Sequence, residues 1–101
     1  ITILTTALLL SACAQAPLQV APNITVINRS GQQLTELRYR PCNSPGEPWQ
    51  SFASGPLAAG RGIALEFPLP CSDLSALYAD GRSAGNQSNV KEQYPFRWDI
   101  Y

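Results

Sequence analysis

Leu34-Thr-Glu-Leu-Arg-Tyr-Arg40 sets Leu37 and Tyr39 against Glu36, Arg38 and Arg40. Alternation with a period of two marks a β-strand with one face in a core and the other in water. Upstream, Ile24-Thr-Val-Ile-Asn28 is rich in β-branched residues, and Asn28-Arg-Ser-Gly31 follows as a turn in which Gly31 supplies a positive φ. These two runs are expected to pair as a hairpin. Downstream, residues 41–60 hold four Pro, three Gly and three Ser around Trp49 and Phe52, an irregular segment expected to pack by its aromatics, with a short strand near Trp49–Phe52. Alternation returns in Arg61-Gly-Ile-Ala-Leu-Glu-Phe67, where Ile63, Leu65 and Phe67 share a face, and in Asp73-Leu-Ser-Ala-Leu-Tyr-Ala79, which Asp80-Gly81 ends as a turn. Residues 83–93 are polar, rich in Asn, Gln and Ser, and read as a loop. Phe96-Arg-Trp-Asp-Ile-Tyr101 then closes the chain as a strand with Phe96, Trp98 and Ile100 on one face.

After residue 22 no apolar spacing of three and four lasts ten residues, and Gly or Pro interrupts at short intervals, so long helices are not expected. Seven Lys+Arg balance seven Asp+Glu, which leaves no excess charge to steer the chain onto nucleic acid or an anionic membrane. The chain of 101 residues has no His. That removes the commonest general base, the commonest zinc ligand and the usual partner of a Ser or Cys nucleophile.

The run Ile1–Leu10 is apolar and about half the roughly 20 residues that a membrane-spanning helix needs, a length suited to the apolar core of a signal peptide. No Met and no basic segment precede it, so the sequence is expected to begin inside its own leader. Leu10-Ser11-Ala12-Cys13 resembles the lipobox of bacterial lipoproteins. The resemblance implies that residues 1–12 are a truncated signal peptide, that Cys13 is lipidated, and that residues 13–22, with two Pro and no charge, are a linker to a β domain over residues 23–101. Ala14 after the modified Cys implies, in the sorting pattern of that family, an outer-membrane address facing the periplasm.

With Cys13 assigned to the anchor, Cys42 and Cys71 remain, an even pair in a chain expected to reach an oxidising compartment, where a disulfide is favoured. Closing a loop of about 30 residues stabilises the fold by roughly 3 to 4 kcal/mol in the chain-entropy account. A metal role would need further ligands that a His-free chain does not offer. The expected fold is all-β: a small antiparallel β-sandwich or partly open barrel of five to seven strands, stapled by Cys42–Cys71.

The order of the pieces is also similar to that of a group of small exported bacterial proteins. The matching stretches are Val26-Ile-Asn-Arg-Ser-Gly31, Leu37-Arg-Tyr39, Trp49, Gly55-Pro-Leu-Ala-Ala-Gly60, Cys71-Ser-Asp-Leu-Ser-Ala76, Asp80-Gly-Arg82 and Trp98. The resemblance implies a compact β-sandwich and carries no reaction and no ligand.

Glu36, Glu47, Glu66, Asp73, Asp80, Glu92 and Asp99 are the only carboxylates. Glu36 and Glu66 fall on the solvent phase of alternating strands, and Asp73 and Asp80 are read as flanking a strand, where turns and caps want them, so a glycosidase-like pair is not the favoured reading. Gly55–Gly60 has glycines at phosphate-loop spacing but lacks the Lys-Ser/Thr and the helix that such a loop needs. The expectation is therefore no enzyme, no cofactor and no metal. Arg and aromatic residues dominate protein-binding hot spots, which makes Arg38, Arg40, Trp49 and Phe52 the candidate partner contacts, with Trp98 in the core. The expected function is a lipid-anchored periplasmic structural or protein-interaction module, an accessory subunit of an outer-membrane or envelope assembly. Its partners would be the membrane, through the anchor, and an envelope protein. The alternative is an inhibitor or immunity-type lipoprotein that blocks a hydrolase such as a lysozyme with a protruding loop from residues 43–59 or 83–93.

Overall fold

The structure is a computed structural model, and it describes residues 23–101. The expected leader, Cys13 and the linker over 13–22 lie outside the described residues. Among those described there are seven strands and no helix: β1 Asn23–Asn28, β2 Leu34–Pro41, β3 Gln50–Ser51, β4 Gly62–Glu66, β5 Cys71–Tyr78, β6 Ser83–Lys91 and β7 Phe96–Ile100. They form two sheets, ordered β4-β1-β7 and β3-β2-β5-β6, in a sandwich-like arrangement that does not close into a barrel. One pair is parallel, β1 with β7, so the architecture is mixed where an antiparallel one was expected.

β1 shows most plainly why these residues form strands. Ile24, Val26 and Asn28 are buried while Asn23, Thr25 and Ile27 are half-exposed, so every second residue enters the core. Trp98 and Ile100 of β7 are buried in the same way. Leu34, Leu37, Leu74, Ala76 and Val90 join them from the second sheet, and Leu57 joins from the segment before β4. Leu34 and Leu37 are three apart and both are buried because the β2–β5 register shifts between Leu34 and Glu36. That shift leaves Thr35 exposed, where its hydroxyl donates to the Leu77 and Tyr78 carbonyls.

The expected β1–β2 hairpin does not form. β1 pairs with β4 and β7, whereas β2 pairs with β3 and β5. The turn after β1 carries the chain from one sheet to the other, and the buried Asn28 side chain fixes it. Its Oδ1 accepts from the Ser30 N–H at 3.1 Å and the Ser30 hydroxyl at 2.7 Å. Its Nδ2 donates to the Gln32 and Leu57 carbonyls at 2.7 and 3.0 Å. Gly31 beside it has φ 82°, as the turn requires. The pattern of one strand identifies a face to bury but not the strand beside it, and here both runs bury their apolar faces in one core from opposite sheets.

The polar stretch read as a loop is also corrected, since residues 83–91 are β6, paired along β5. Only Val90 is fully buried there, so the ladder to β5 and not an apolar stripe makes it a strand. Asp73 is likewise inside β5 and not at its flank.

Cys42 and Cys71 are bonded, with Cα atoms 5.5 Å apart. The bridge joins the end of β2 to the start of β5, two neighbours in one sheet, beside the Cys42 N–H donated to the Cys71 carbonyl.

Candidate interaction surface

Arg38 and Arg40 are two apart on β2, so their side chains leave the same face of the sheet, the one turned away from the core. The register sets Arg38 against Ser75 and Arg40 against Asp73, and residues directly opposite on antiparallel strands share a face. An Arg38 Nη donates to the Ser75 hydroxyl at 3.1 Å, and Ser75 is buried beneath it although it is on the outer face. Arg40 Nε lies 3.8 Å from Asp73 Oδ2, and an Nη of Arg40 donates to the Pro45 carbonyl. Asp73 is held in turn by the Asn89 N–H, donated to Oδ1 at 3.1 Å where the β5–β6 register shifts. Asn89 has φ 56° there, a conformation that Asn tolerates better than most residues.

Trp49, just before β3, brings its ring to both guanidiniums, with Arg40 Cζ 4.2 Å and Arg38 Cζ 5.2 Å from the ring centroid. Contacts of this kind each contribute roughly 0.5 to 2 kcal/mol according to how dry they are. The segment that carries Trp49 is fastened along its length. The disulfide holds its start, the Phe52 N–H donates to the Leu37 carbonyl, and Leu34 and Leu57 exchange two backbone hydrogen bonds at 2.8 and 2.9 Å. The indole is therefore presented by a preorganised loop.

Phe52 falls on the other side of the sheet. Its ring centroid is 4.9 Å from that of Tyr39, on the inner face of β2, and both line a groove of about 360 Å³ with Leu65, Glu66 and Phe67 at the open side of the sandwich. Three of the four sequence-selected contacts thus converge and the fourth does not. Asp73 and Ser75, which orient the two Arg side chains, were not singled out from the sequence. The signal was there: Asp73-x-Ser75 has the same two-residue spacing as Arg38-x-Arg40, and antiparallel pairing lays one motif on the other.

Two carboxylates elsewhere carry perturbed charge. Arg97 and Arg29 both donate to Asp99 and hold its carboxyl below the ordinary carboxylate value, while the same contact raises Arg97. The Arg82 backbone N–H, joined by its guanidinium, holds Asp80 low in the β5–β6 turn. The Arg29–Asp99–Arg97 group and the Arg82–Asp80 pair lie at the surface and act as edge and turn clasps. Among the described residues no three Cys, Asp or Glu side chains are gathered as a metal site.

Two guanidiniums set against one indole can bind an oxyanion and bury apolar surface at once, which suits the group to recognition. No family model, curated protein or solved structure matches the chain.

Proposed function

We propose that the chain is a lipid-anchored protein-interaction module of the bacterial envelope, held to the outer membrane through Cys13 and acting in the periplasm without catalysing a reaction. The observation that carries this reading is the Arg38–Trp49–Arg40 stack on the outer face of the four-stranded sheet. Arg and Trp are the residue types that dominate binding hot spots, and a fastened loop loses little entropy on docking. The lipobox-like Leu10-Ser11-Ala12-Cys13 supports the anchor, and the Cys42–Cys71 bridge is in keeping with an oxidising compartment.

The test is a crosslinked pull-down of the full-length protein from its native membranes, with mass spectrometry of bait and partners and with Trp49→Ala as the paired sample. One stoichiometric envelope complex, lost in Trp49→Ala and recovered with acylated Cys13, is the expected result. Recovery of a lone hydrolase would replace the subunit reading with the inhibitor reading, for which the fastened loop over residues 43–59 is the remaining candidate now that residues 83–91 form a strand. An unacylated Cys13 would overturn the anchor.

A further inference from the structure

We propose that Arg38 is the receptor for a carboxylate supplied by the partner, an Asp or Glu side chain of an acidic polypeptide segment lying across the outer face of β2 and β5. The inference rests on the interaction-module reading and gives that partner a chemistry.

Arg29 and Arg97 share Asp99, Arg82 pairs with Asp80, and Arg40 faces Asp73. Among the described residues Arg38, Arg61 and Lys91 have no carboxylate within 4.0 Å. Arg61 and Lys91 are exposed, so water solvates them, but Arg38 is half-buried and its Nε is out of contact with solvent and without a hydrogen-bond partner. With Nε sealed and one Nη on Ser75, the guanidinium is poorly hydrated and an acceptor can approach it only at its outer Nη edge. Residues 1–22 contain no Asp or Glu, so they hold no side-chain carboxylate for it. The fork of a guanidinium matches a carboxylate, and such pairs are among the stronger hydrogen-bonded contacts. Ser75 holds one Nη in place and Trp49 lies against the group, so the fork is oriented before a ligand arrives.

A carboxylate suits the face better than a phosphate group. Glu36 and Asp73 lie on this face with Arg38, Arg40 and, opposite Cys71, Lys91, so three cations meet two carboxylates and one further negative charge balances the set. A phosphate group, with a charge of roughly −1.5 to −2, would exceed it. Balanced charge over the whole chain gives no general attraction to an anionic lipid surface.

The experiment is a titration of the full chain, with Cys42–Cys71 formed and in detergent micelles, followed by NMR at Arg38 Nε–Hε and the Trp49 indole N–H. The probes are an acetylated hexaglutamate peptide, its hexaglutamine counterpart, inorganic phosphate and phosphatidylglycerol vesicles. The glutamate peptide is expected to move both signals saturably and the other three probes to leave them in place. Arg38→Gln should weaken the glutamate peptide about tenfold, the equivalent of roughly 1.4 kcal/mol. Arg61→Gln, which removes an exposed cation far in sequence from β2, should leave binding as it was, and Glu36→Gln should tighten it. Equal shifts with hexaglutamine, a preference for phosphate or vesicles, no response to any probe, or unchanged binding by a folded Arg38→Gln would each overturn the proposal. An envelope partner captured equally by the parent and by Arg38→Gln would sink the carboxylate receptor and leave the interaction-module reading standing.

Discussion

Asn28 is wholly buried and uses both ends of its amide, so it is the polar residue on which the passage between the sheets depends. Asn28→Ala would remove four hydrogen bonds: the Leu57 carbonyl would keep only the Leu34 N–H, and the turn at Ser30 would lose its acceptor. An intramolecular hydrogen bond contributes about 1 kcal/mol net, so a loss of roughly 3 kcal/mol is expected in urea unfolding. A loss under about 1 kcal/mol would mean that water replaces the amide. Gly85 presents the opposite problem, since a Cβ there would lie 3.1 Å from Trp98 Cζ2, where β6 packs over β7. Gly85→Ala is expected to destabilise by about 1 to 3 kcal/mol through overpacking and to alter Trp98 emission in the folded protein. An unchanged spectrum and midpoint would show that the indole swings aside freely. Neither residue was legible as critical in the sequence: Asn28 read only as part of a turn, and Gly85 sat in a stretch that read as a loop. Trp98 and the Arg–Trp residues were legible because their type and alternation carry information that a lone Asn or Gly does not.

Among elements, legibility followed locality. Period-two alternation identified β2, β4, β5 and β7, because a half-buried strand writes its own face into its sequence, and β-branched residues identified β1. It could not identify the parallel β1–β7 pairing, which joins the two ends of the described chain, and it missed β6, whose strand character comes from the β5 ladder. The β1–β7 edge offers its own test. Asp99 at the end of β7 clasps Arg29 in the turn after β1 and Arg97 on its own strand, and both hold its carboxyl below the ordinary value. A carboxylate whose pKa falls on folding stabilises the fold above its unfolded pKa, about 3.9, and loses that contribution as pH falls through the lower folded value. The stability gap between the parent and Asp99→Asn should therefore be constant above about pH 5 and close steadily below about pH 4. Urea midpoints across that range measure it, and a gap that persisted into strong acid would show that Asp99 acts through packing and not through charge.

At the scale of the whole molecule, ten hydrophobic side chains are buried among roughly 80 described residues, a small core in which one covalent link matters. Cys42–Cys71 joins strands that are already hydrogen-bonded neighbours, so it adds few new native contacts, and its main effect is on the unfolded chain. A separation of 29 residues gives a stabilisation of about 3 to 4 kcal/mol in the chain-entropy account, against total stabilities of about 5 to 15 kcal/mol for folded domains. In a domain of this size 1 kcal/mol moves the melting temperature by about 4 to 8 °C. Paired Cys42→Ser and Cys71→Ser substitutions should thus lower Tm by on the order of 15 °C, while urea midpoints fall with an increased slope because the uncrosslinked chain exposes more surface when it unfolds. The bridge also anchors the start of the loop that carries Trp49, so the same variant should bind the glutamate peptide less tightly well below its melting temperature. A melting point within about 3 °C of the parent would mean that the unfolded chain is already compact between β2 and β5. Peptide binding that survived the loss of the bridge would show that β3 and the Leu34–Leu57 clasp are enough to present the indole.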